Sequence, residues 1–246
     1  MDAHECAALI AAPIGELGAR FYFDEATRSR AKELGLRSVE YYGLGRAGVM
    51  GDVSAEEVED AFAFFSPTAV QAMYTNARER VSPLEAAVSY LASADSYAER
   101  TFATLSSDVL ASVARAADEV AAVVPVGRYR VFDGYVAAPA ATSEAAKAYR
   151  GVIILRELRG GAHAVAVADA GLAPADAAYV ESPDLFRLHG FVEGDRRDPD
   201  AAPARRALAE EATTHIMSSY VEALSASARV ALVEGVIAMA ACGGGA

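Results

Sequence analysis

Signals that start and stop helices follow one another along almost the whole chain. Ser54 with Glu57 forms a capping box, in which each side chain satisfies a free amide at the start of a helix. Asp24 can cap a helix that ends at Gly35. Ser82-Pro83 predicts another helix start, because the first amide of a helix has no partner and proline can therefore occupy that position without loss. These signals lie in an alanine-rich background that favours helix, so the sequence predicts an all-α, mainly helical protein.

The same signals place the remaining helices. Further helix starts are predicted at Ser66-Pro67, Ser143, Pro174 and Pro183, and long helices over about 84–103, 107–122, 203–223 and 226–241. We expect the helix that begins after Ser143 to end at Gly160-Gly161, since glycine adopts left-handed conformations without steric cost. His163 then opens the next helix.

The helical pattern is interrupted in the middle of the chain. Between Val123 and Pro139, proline, glycine and alternating apolar and polar residues predict extended or short strand structure. We therefore divide the chain into an N-terminal helical domain (1–124), a connector (125–142) and a C-terminal helical domain (143–246). Gly190 to Pro203 is predicted to be an exposed polar loop, and the last four residues, Gly-Gly-Gly-Ala, are predicted to fray.

Charge and cysteine content restrict the partners. With 22 basic and 34 acidic residues the net charge is −12, which repels phosphate backbones and anionic membranes, so we expect neither DNA nor a membrane as partner. Cys6 and Cys242 lie near opposite ends and form no C-x-x-C pair, as is typical of a reducing compartment. Asp2 and Glu5 stand where an export signal carries basic residues. We expect a cytoplasmic protein.

The chain has no strong catalytic motif. It lacks a phosphate-binding glycine loop, an H-E-x-x-H pair and a nucleophile elbow. Glu211 and His215 share a helix face but are too few for a metal site. We therefore predict no cofactor and no metal. If the protein is an enzyme, the sequence favours acid–base chemistry without a nucleotide.

One charged segment, from Arg156 to His163, is the strongest candidate for chemistry. If the glycine pair reverses the chain, Glu157, Arg159 and His163 come together. A carboxylate beside an imidazole raises its basicity, so His163 and Glu157 are the predicted catalytic residues, and Arg159 is predicted to bind the substrate. The alternative is structural, with Arg159 stabilising a helix end and His163 packing at a helix start.

An aromatic cluster near the N-terminus is the second candidate. From this cluster we predict that Tyr22, Tyr41, Tyr42 and Phe65 bind the substrate, together with Arg46, which lies one helical turn after Tyr42. Hydroxyl-bearing rings around an arginine suit a planar or carboxylated ligand, because small-molecule sites have apolar walls and few polar anchors. Ordinary core packing is the alternative explanation for rings at helical spacing.

Two stretches carry a resemblance to a known family. They are the run from Leu34-Gly35 through Tyr42, Arg46 and Gly51 to Phe62, Phe65 and Pro67, and the segment LRELRGGAHAVAVADAGL from Leu155 to Leu172. Together they resemble the actinobacterial SalK-like family of helix-turn-helix proteins. The resemblance implies a helical fold of two winged-helix-like halves. Several members lie in natural-product gene clusters, which implies a role in natural-product biosynthesis but supplies no reaction.

The chain also departs from the family pattern. The differences are at Phe64, Ser66 and Asp24-Glu25, and Pro183 to Gly194 is too short for the family's helix, turn and wing. A helix altered in this way would enter a major groove with difficulty. The departures therefore add to the charge argument against DNA.

Three functions follow as alternatives. The first is an enzyme or ligand-binding protein of specialised metabolism that acts on an organic, anionic or aromatic small molecule. The second is a helix-turn-helix transcriptional regulator. The third is a non-catalytic partner of a biosynthetic enzyme, because long alanine-rich helices can dock on another protein or form a homodimer.

Overall fold

The computed structural model describes residues 1–242, and the predicted fraying of the last four residues lies outside this range. The all-α prediction is confirmed, since the structure is 75% helical and residues 1–242 contain no strand. The helices of the first half are α1 (Ala3–Ala19), α2 (Glu25–Glu33), α3 (Ser38–Gly48), α4 (Ala55–Ala61), α5 (Pro67–Val70), α6 (Asn76–Arg78), α7 (Pro83–Thr101) and α8 (Ser107–Ala122). Those of the second half are α9 (Arg130–Ala137), α10 (Glu144–Asp169), α11 (Pro174–Glu181), α12 (Pro183–Leu188), α13 (Ala202–Val221) and α14 (Ala226–Ala241). Short 3₁₀ turns cover Arg20–Phe23 and Glu193–Asp195, and the π-helix Gln71–Thr75 joins α5 to α6.

The predicted helix starts at Ser54, Ser82 and Ser143 are confirmed by their capping hydrogen bonds. The hydroxyl of Ser54 accepts from the amide of Glu57, and the Glu57 carboxylate accepts from the amide of Ser54 at 2.7 Å. The hydroxyls of Ser82 and Ser143 accept from the amides of Glu85 and Ala146 at the starts of α7 and α10. Because these caps depend only on neighbouring residues, the sequence alone is enough to locate them.

The longest helix, α10, lies at the centre of the molecule. It packs against α7 and α8 on one side and against α1 and α13 on the other. Leu155, Leu158, Ala162 and Ala166 are among its buried residues. A helix enclosed in this way has no wide solvent face, so residues from many parts of the chain can meet its side chains.

Glycines allow α3 to pack closely on its neighbours. A side chain at Gly45 would lie 2.6 Å from Tyr90 of α7, and one at Gly48 would overlap the carbonyl oxygen of Pro83. A methyl group at Gly43 would overlap Met73 of the π-helix. Close packing at these three positions fixes the orientation of α3 and thereby the direction of Tyr42 and Arg46.

The predicted helix break at Gly160-Gly161 is wrong. Helix α10 runs through both glycines without interruption, and neither has a positive φ. Tertiary packing decides the outcome, because a side chain at Gly161 would lie 2.5 Å from the Tyr129 ring. His163 therefore lies in the interior of a helix and does not open one.

The predicted extended structure between Val123 and Pro139 is also wrong over α9. Its buried side chains, Val131, Phe132 and Tyr135, recur at helical spacing and face the core, where α9 packs on α10. The alternation seen in the sequence is short, and a short apolar run fits either a strand or a buried helix.

The N-terminal segment is apolar. Ala3–Phe23 is long and apolar enough to cross a membrane by length and composition alone. In the folded chain, Cys6, Ile10, Ile14 and Leu17 of this segment are buried in the core. Packing against α10, α13 and α14 thus accounts for their apolar character.

The packing of α3 predicts a difference between two helical glycines. We expect Gly48→Ala to lower the free energy of unfolding by about 1–3 kcal/mol, because the methyl group overlaps the Pro83 carbonyl. Gly15→Ala in α1 is the matched control, since a methyl group there meets no atom within 4 Å, and it should raise stability by up to about 1 kcal/mol. Urea unfolding measures both. Equal effects of the two substitutions would contradict this description of α3.

Candidate functional site

A cavity of about 580 Å³ lies beside the central part of α10. Its walls come from distant parts of the chain, including α1, α3, α9, α11 and α13 and the segment that follows α4. Six arginines and four carboxylates line it, and one of the arginines, Arg130, pairs with Glu57 outside the lining. One positive charge remains in excess, in a protein whose net charge is −12. The cavity is therefore electrostatically unlike the rest of the molecule and suits an anion.

A buried cluster of three charged side chains forms one end of the cavity. Arg46 of α3 donates to both carboxylate oxygens of Glu157, through Nε at 3.1 and 3.3 Å and through Nη2 at 2.6 Å. Arg156 donates from Nη1 to the same carboxylate at 2.7 Å. Two guanidinium groups thus face one carboxylate, and the cluster carries one unbalanced positive charge. We call these three residues the arginine end.

The protonation states at the arginine end are fixed. Burial by itself raises the pKa of Glu157, but the guanidinium groups of Arg46 and Arg156 outweigh burial and hold that pKa below its usual value. Burial opposes the charge on Arg46, yet its pKa is raised well above normal by the Glu157 carboxylate. Glu157 therefore stays ionised near neutral pH and is suited to hold the two arginines in place.

Aromatic rings form the wall next to the arginine end. The Arg46 guanidinium lies 4.2 Å from the centre of the Phe62 ring, and Tyr42 packs 6.1 Å from Phe65. The His189 ring lies 4.2 Å from the Phe65 ring at an angle of 31°, and its Nδ1 is buried without a hydrogen-bond partner among residues 1–242. Burial lowers the pKa of His189, so its ring is neutral. This part of the cavity is apolar and lined by aromatic rings.

His163 lies at the other end of the cavity. Its Nδ1 is 2.9 Å from the hydroxyl of Thr213, and that hydroxyl donates to the carbonyl of Ala209 at 2.6 Å. Because the Thr213 proton is already used, Nδ1 of His163 must carry the hydrogen and donate. The lone pair of the neutral ring is then on Nε2, which is the nitrogen left to accept a hydrogen bond or a proton.

A second ion-pair network surrounds His163. Glu210 of α13 accepts from Arg159 at 2.7 Å and from Arg206 at 3.0 Å, and its Oε1 lies 3.8 Å from Nε2 of His163. Arg206 also pairs with Glu181. Burial lowers the pKa of His163; Glu210 opposes this change, whereas the two arginines strengthen it. The imidazole is consequently neutral near pH 7, the state in which it can act as a base.

The structure brings together most of the residues selected from the sequence. Those that line the cavity are Tyr42, Arg46, Phe65, Glu157, Arg159 and His163. Glu157 does not meet Arg159 and His163, because the uninterrupted helix places it with Arg46 whereas the other two face Glu210. The catalytic roles predicted for His163 and Glu157 stay predictions.

Two selected tyrosines do not line the cavity. Tyr41 points towards α7, where its hydroxyl contacts Ser89 and Ser93 at 2.9 and 3.0 Å. Tyr22 lies behind the cavity wall, with its ring 4.9 Å from Tyr42, and burial raises its pKa to about 12. Their predicted role in substrate binding has no support from this geometry.

Sequence reasoning missed the site roles of Arg156, Gly160, Arg206 and Glu210. Arg156, Gly160 and His163 are spaced i, i+4 and i+7, which puts them on one face of an uninterrupted helix. The mistaken helix break concealed this spacing. Arg206 and Glu210 are also four residues apart on one helix, but only the folded chain shows that they face α10.

The sequence model of one family matches three-quarters of the chain. The match covers residues 7–189 and is to the helix-turn-helix family. The chain belongs to this family. No curated protein and no solved structure matches the chain. The helix-turn-helix part of the resemblance is therefore confirmed, and the matched segment contains the arginine end and His163.

The structure contains a helix, a short turn and a helix within the matched segment. Helix α2 is followed by a turn in which Gly35 has a φ of +70°, and α3 begins at Ser38. From Glu40 to Gly48, α3 is buried except for the partly covered Tyr42 and Arg46, both of which line the cavity. A DNA-reading helix needs an exposed face that fits a major groove, and α3 lacks one beyond its first residues.

The neutral, buried histidines predict a pH dependence of stability. In the unfolded chain an imidazole takes up a proton at about pH 6.5, whereas the folded chain holds the pKa of both His163 and His189 lower. Between these values the unfolded chain binds more protons, so the free energy of unfolding falls as the pH falls below about 6.5. Urea unfolding at pH 7.5 and 5.5 should show this loss.

The variant His163→Gln should reduce the difference in stability between the two pH values, because it removes one of the two rings whose pKa the fold lowers. His215→Gln, at an exposed position on α13, is the matched control. A pH dependence of the same size in wild type and His163→Gln would contradict the description of His163 as a neutral, buried base.

Proposed function

We propose that this protein binds an organic carboxylate in the cavity, with the carboxylate held at the arginine end and an apolar, planar body against the aromatic wall. The observation that carries the proposal is the buried cluster of two guanidinium groups on one carboxylate, which leaves one positive charge without a counterion. Burying an unbalanced charge is costly, and an anionic ligand would neutralise it.

Arg156 is the residue best placed to bind the carboxylate. Arg46 uses Nε and Nη2 on Glu157, whereas Arg156 uses only Nη1 on that carboxylate within residues 1–242. The Arg156 side chain is 25% exposed, compared with 12% for Arg46. Arginine presents its donors as a planar fork that matches a carboxylate, so the remaining donors of Arg156 suit a second, ligand carboxylate.

The chemistry of the cavity also supports catalysis. A neutral His163 with its lone pair on Nε2 can take a proton from a bound molecule, and the Glu210 carboxylate can stabilise the imidazolium that forms. The proposal therefore includes acid–base catalysis without a nucleotide cofactor. The resemblance to SalK-like proteins of actinobacteria supports a setting in natural-product metabolism.

The binding test uses Arg156→Met. We expect aryl carboxylates such as benzoate and cinnamate to bind the wild-type protein, and their amides to bind at least about 10-fold more weakly, because a charge-assisted hydrogen bond contributes about 1.5–3 kcal/mol. Arg156→Met should abolish this preference. In that variant Glu157 still forms its ion pair with Arg46, so the protein should remain folded. Isothermal titration calorimetry measures the affinities.

The matched control is Arg150→Met. Arg150 lies on the same helix and forms a similarly buried pair with Asp95, at 2.6 and 2.8 Å, but it does not line the cavity. Arg150→Met should lower the free energy of unfolding and leave the preference for carboxylates over amides unchanged. The proposal fails if no carboxylate binds, or if Arg150→Met and Arg156→Met alter the preference equally.

A transcriptional regulator is the second candidate, favoured by membership of the helix-turn-helix family. Since α3 is largely buried, DNA contacts would fall to exposed basic residues on α2, of which Arg28 and Lys32 form no ion pair within residues 1–242. These two residues lie four apart and share a helix face.

The regulator candidate predicts a band shift with the neighbouring promoter at 50 mM salt that is lost by 200 mM, because phosphate contacts release counterions. The double variant with Arg28→Ala and Lys32→Ala should weaken the shift and flatten its salt dependence. The double variant with Arg115→Ala and Lys147→Ala, at exposed positions on α8 and α10, is the control for total charge. The absence of a shift at low salt would exclude this candidate.

A further inference from the structure

The two ends of the cavity differ in the chemistry that they can recognise. The arginine end carries unbalanced positive charge, whereas the end at His163 presents a neutral nitrogen acceptor beside the Glu210 carboxylate. Both ends lie on α10, where Arg156 and His163 are separated by about 10 Å along the helix axis. A single elongated molecule can therefore reach both.

The chemistry around His163 selects what the far end of the ligand carries. The charged side chains around it, Arg159 and Arg206 with Glu181 and Glu210, pair with one another and balance in charge. This end therefore has no net charge to hold a second carboxylate or an ammonium group. A neutral donor remains, and a hydroxyl group is the simplest one that donates to Nε2.

Gly160 lies between the two ends and is unexplained by packing. It lines the cavity in the interior of α10, and a methyl group built on it would meet no atom within 4 Å. Alanine at such a position would favour the helix. By contrast, a methyl group at Gly161 or Gly151 of the same helix would lie 2.5 Å from Tyr129 or 2.8 Å from Ala117. Gly160 therefore leaves empty space that the fold itself does not need.

We propose that the cavity takes a planar aryl carboxylate with a hydroxyl group at the end opposite its carboxylate, and that the molecule lies across Gly160 and donates its hydroxyl hydrogen to Nε2 of His163. This inference rests on the proposed carboxylate binding. It further specifies the ligand's second polar group and its length, and identifies Gly160 as the residue that leaves space for the ring. Thr213 is a positioning residue, because its contact with Nδ1 keeps the lone pair on Nε2.

The first experiment tests the hydroxyl contact by calorimetry with 4-hydroxycinnamate, 4-methoxycinnamate and cinnamate. We expect 4-hydroxycinnamate to bind the wild-type protein about 3- to 10-fold more tightly than the other two, as a neutral hydrogen bond provides. His163→Leu removes the acceptor and should abolish this preference. Thr213→Val keeps the side-chain volume at a fully buried site but leaves Nδ1 of His163 without its acceptor, so the lone pair is no longer held on Nε2. The preference for the hydroxyl group should therefore also fall, whereas cinnamate should still bind.

The second experiment tests the role of Gly160. Gly160→Ala should raise the melting temperature by about 2–4 °C, because alanine favours the helix, and should weaken cinnamate binding while leaving the shorter benzoate unaffected. Gly160→Val should weaken cinnamate further. If Gly160 had only a structural role, we would not expect a substitution there to raise stability and weaken the binding of cinnamate but not of benzoate.

The outcomes separate this inference from the proposed function. If no carboxylate binds, both are overturned. If cinnamate binds but the hydroxyl confers no advantage, or if the advantage persists in His163→Leu and Thr213→Val, the hydroxyl assignment is wrong and carboxylate binding stands. If Gly160→Ala binds cinnamate and benzoate as the wild type does, the ligand does not cross Gly160.

Discussion

The buried contact between Arg46 and Glu157 joins parts of the chain that are 111 residues apart. Glu157 has 1% of its side chain exposed, so a carboxylate in the core is tolerable only while guanidinium groups surround it. Arg46 can reach it because glycines let α3 pack closely on α7 and the π-helix, which fixes the orientation of α3. The positions of α3, of α10 and of the cavity between them thus depend on one another.

The same helix that fits a helix-turn-helix arrangement is used here as a core element. After its first residues α3 has no exposed face, and its two partly covered polar side chains line a cavity. Family membership and a small-molecule site are therefore compatible in one chain. What distinguishes the possible functions is whether the polar face of α3 is directed to solvent or inward.

Local chemistry made much of the fold predictable. Capping residues such as Ser54, Ser82 and Ser143 determine helix starts through hydrogen bonds to their own neighbours, and these predictions are confirmed. The errors arose where distant contacts decide, at Gly161 beneath the Tyr129 ring and in the apolar face of α9. For the site, Arg46 and Glu157 were selected for separate reasons, and nothing in their spacing along the sequence indicates that they pair.

The family match ends at residue 189, and this has a consequence for how the cavity is assembled. The arginine end lies wholly within the matched segment, whereas Arg206, Glu210 and Thr213, which set the charge and tautomer of His163, belong to α13 beyond it. The two halves of the proposed recognition chemistry can therefore change independently. If the proposal holds, a relative with a different helix in place of α13 would retain the carboxylate-binding arginines and contact a different group at the far end of its ligand.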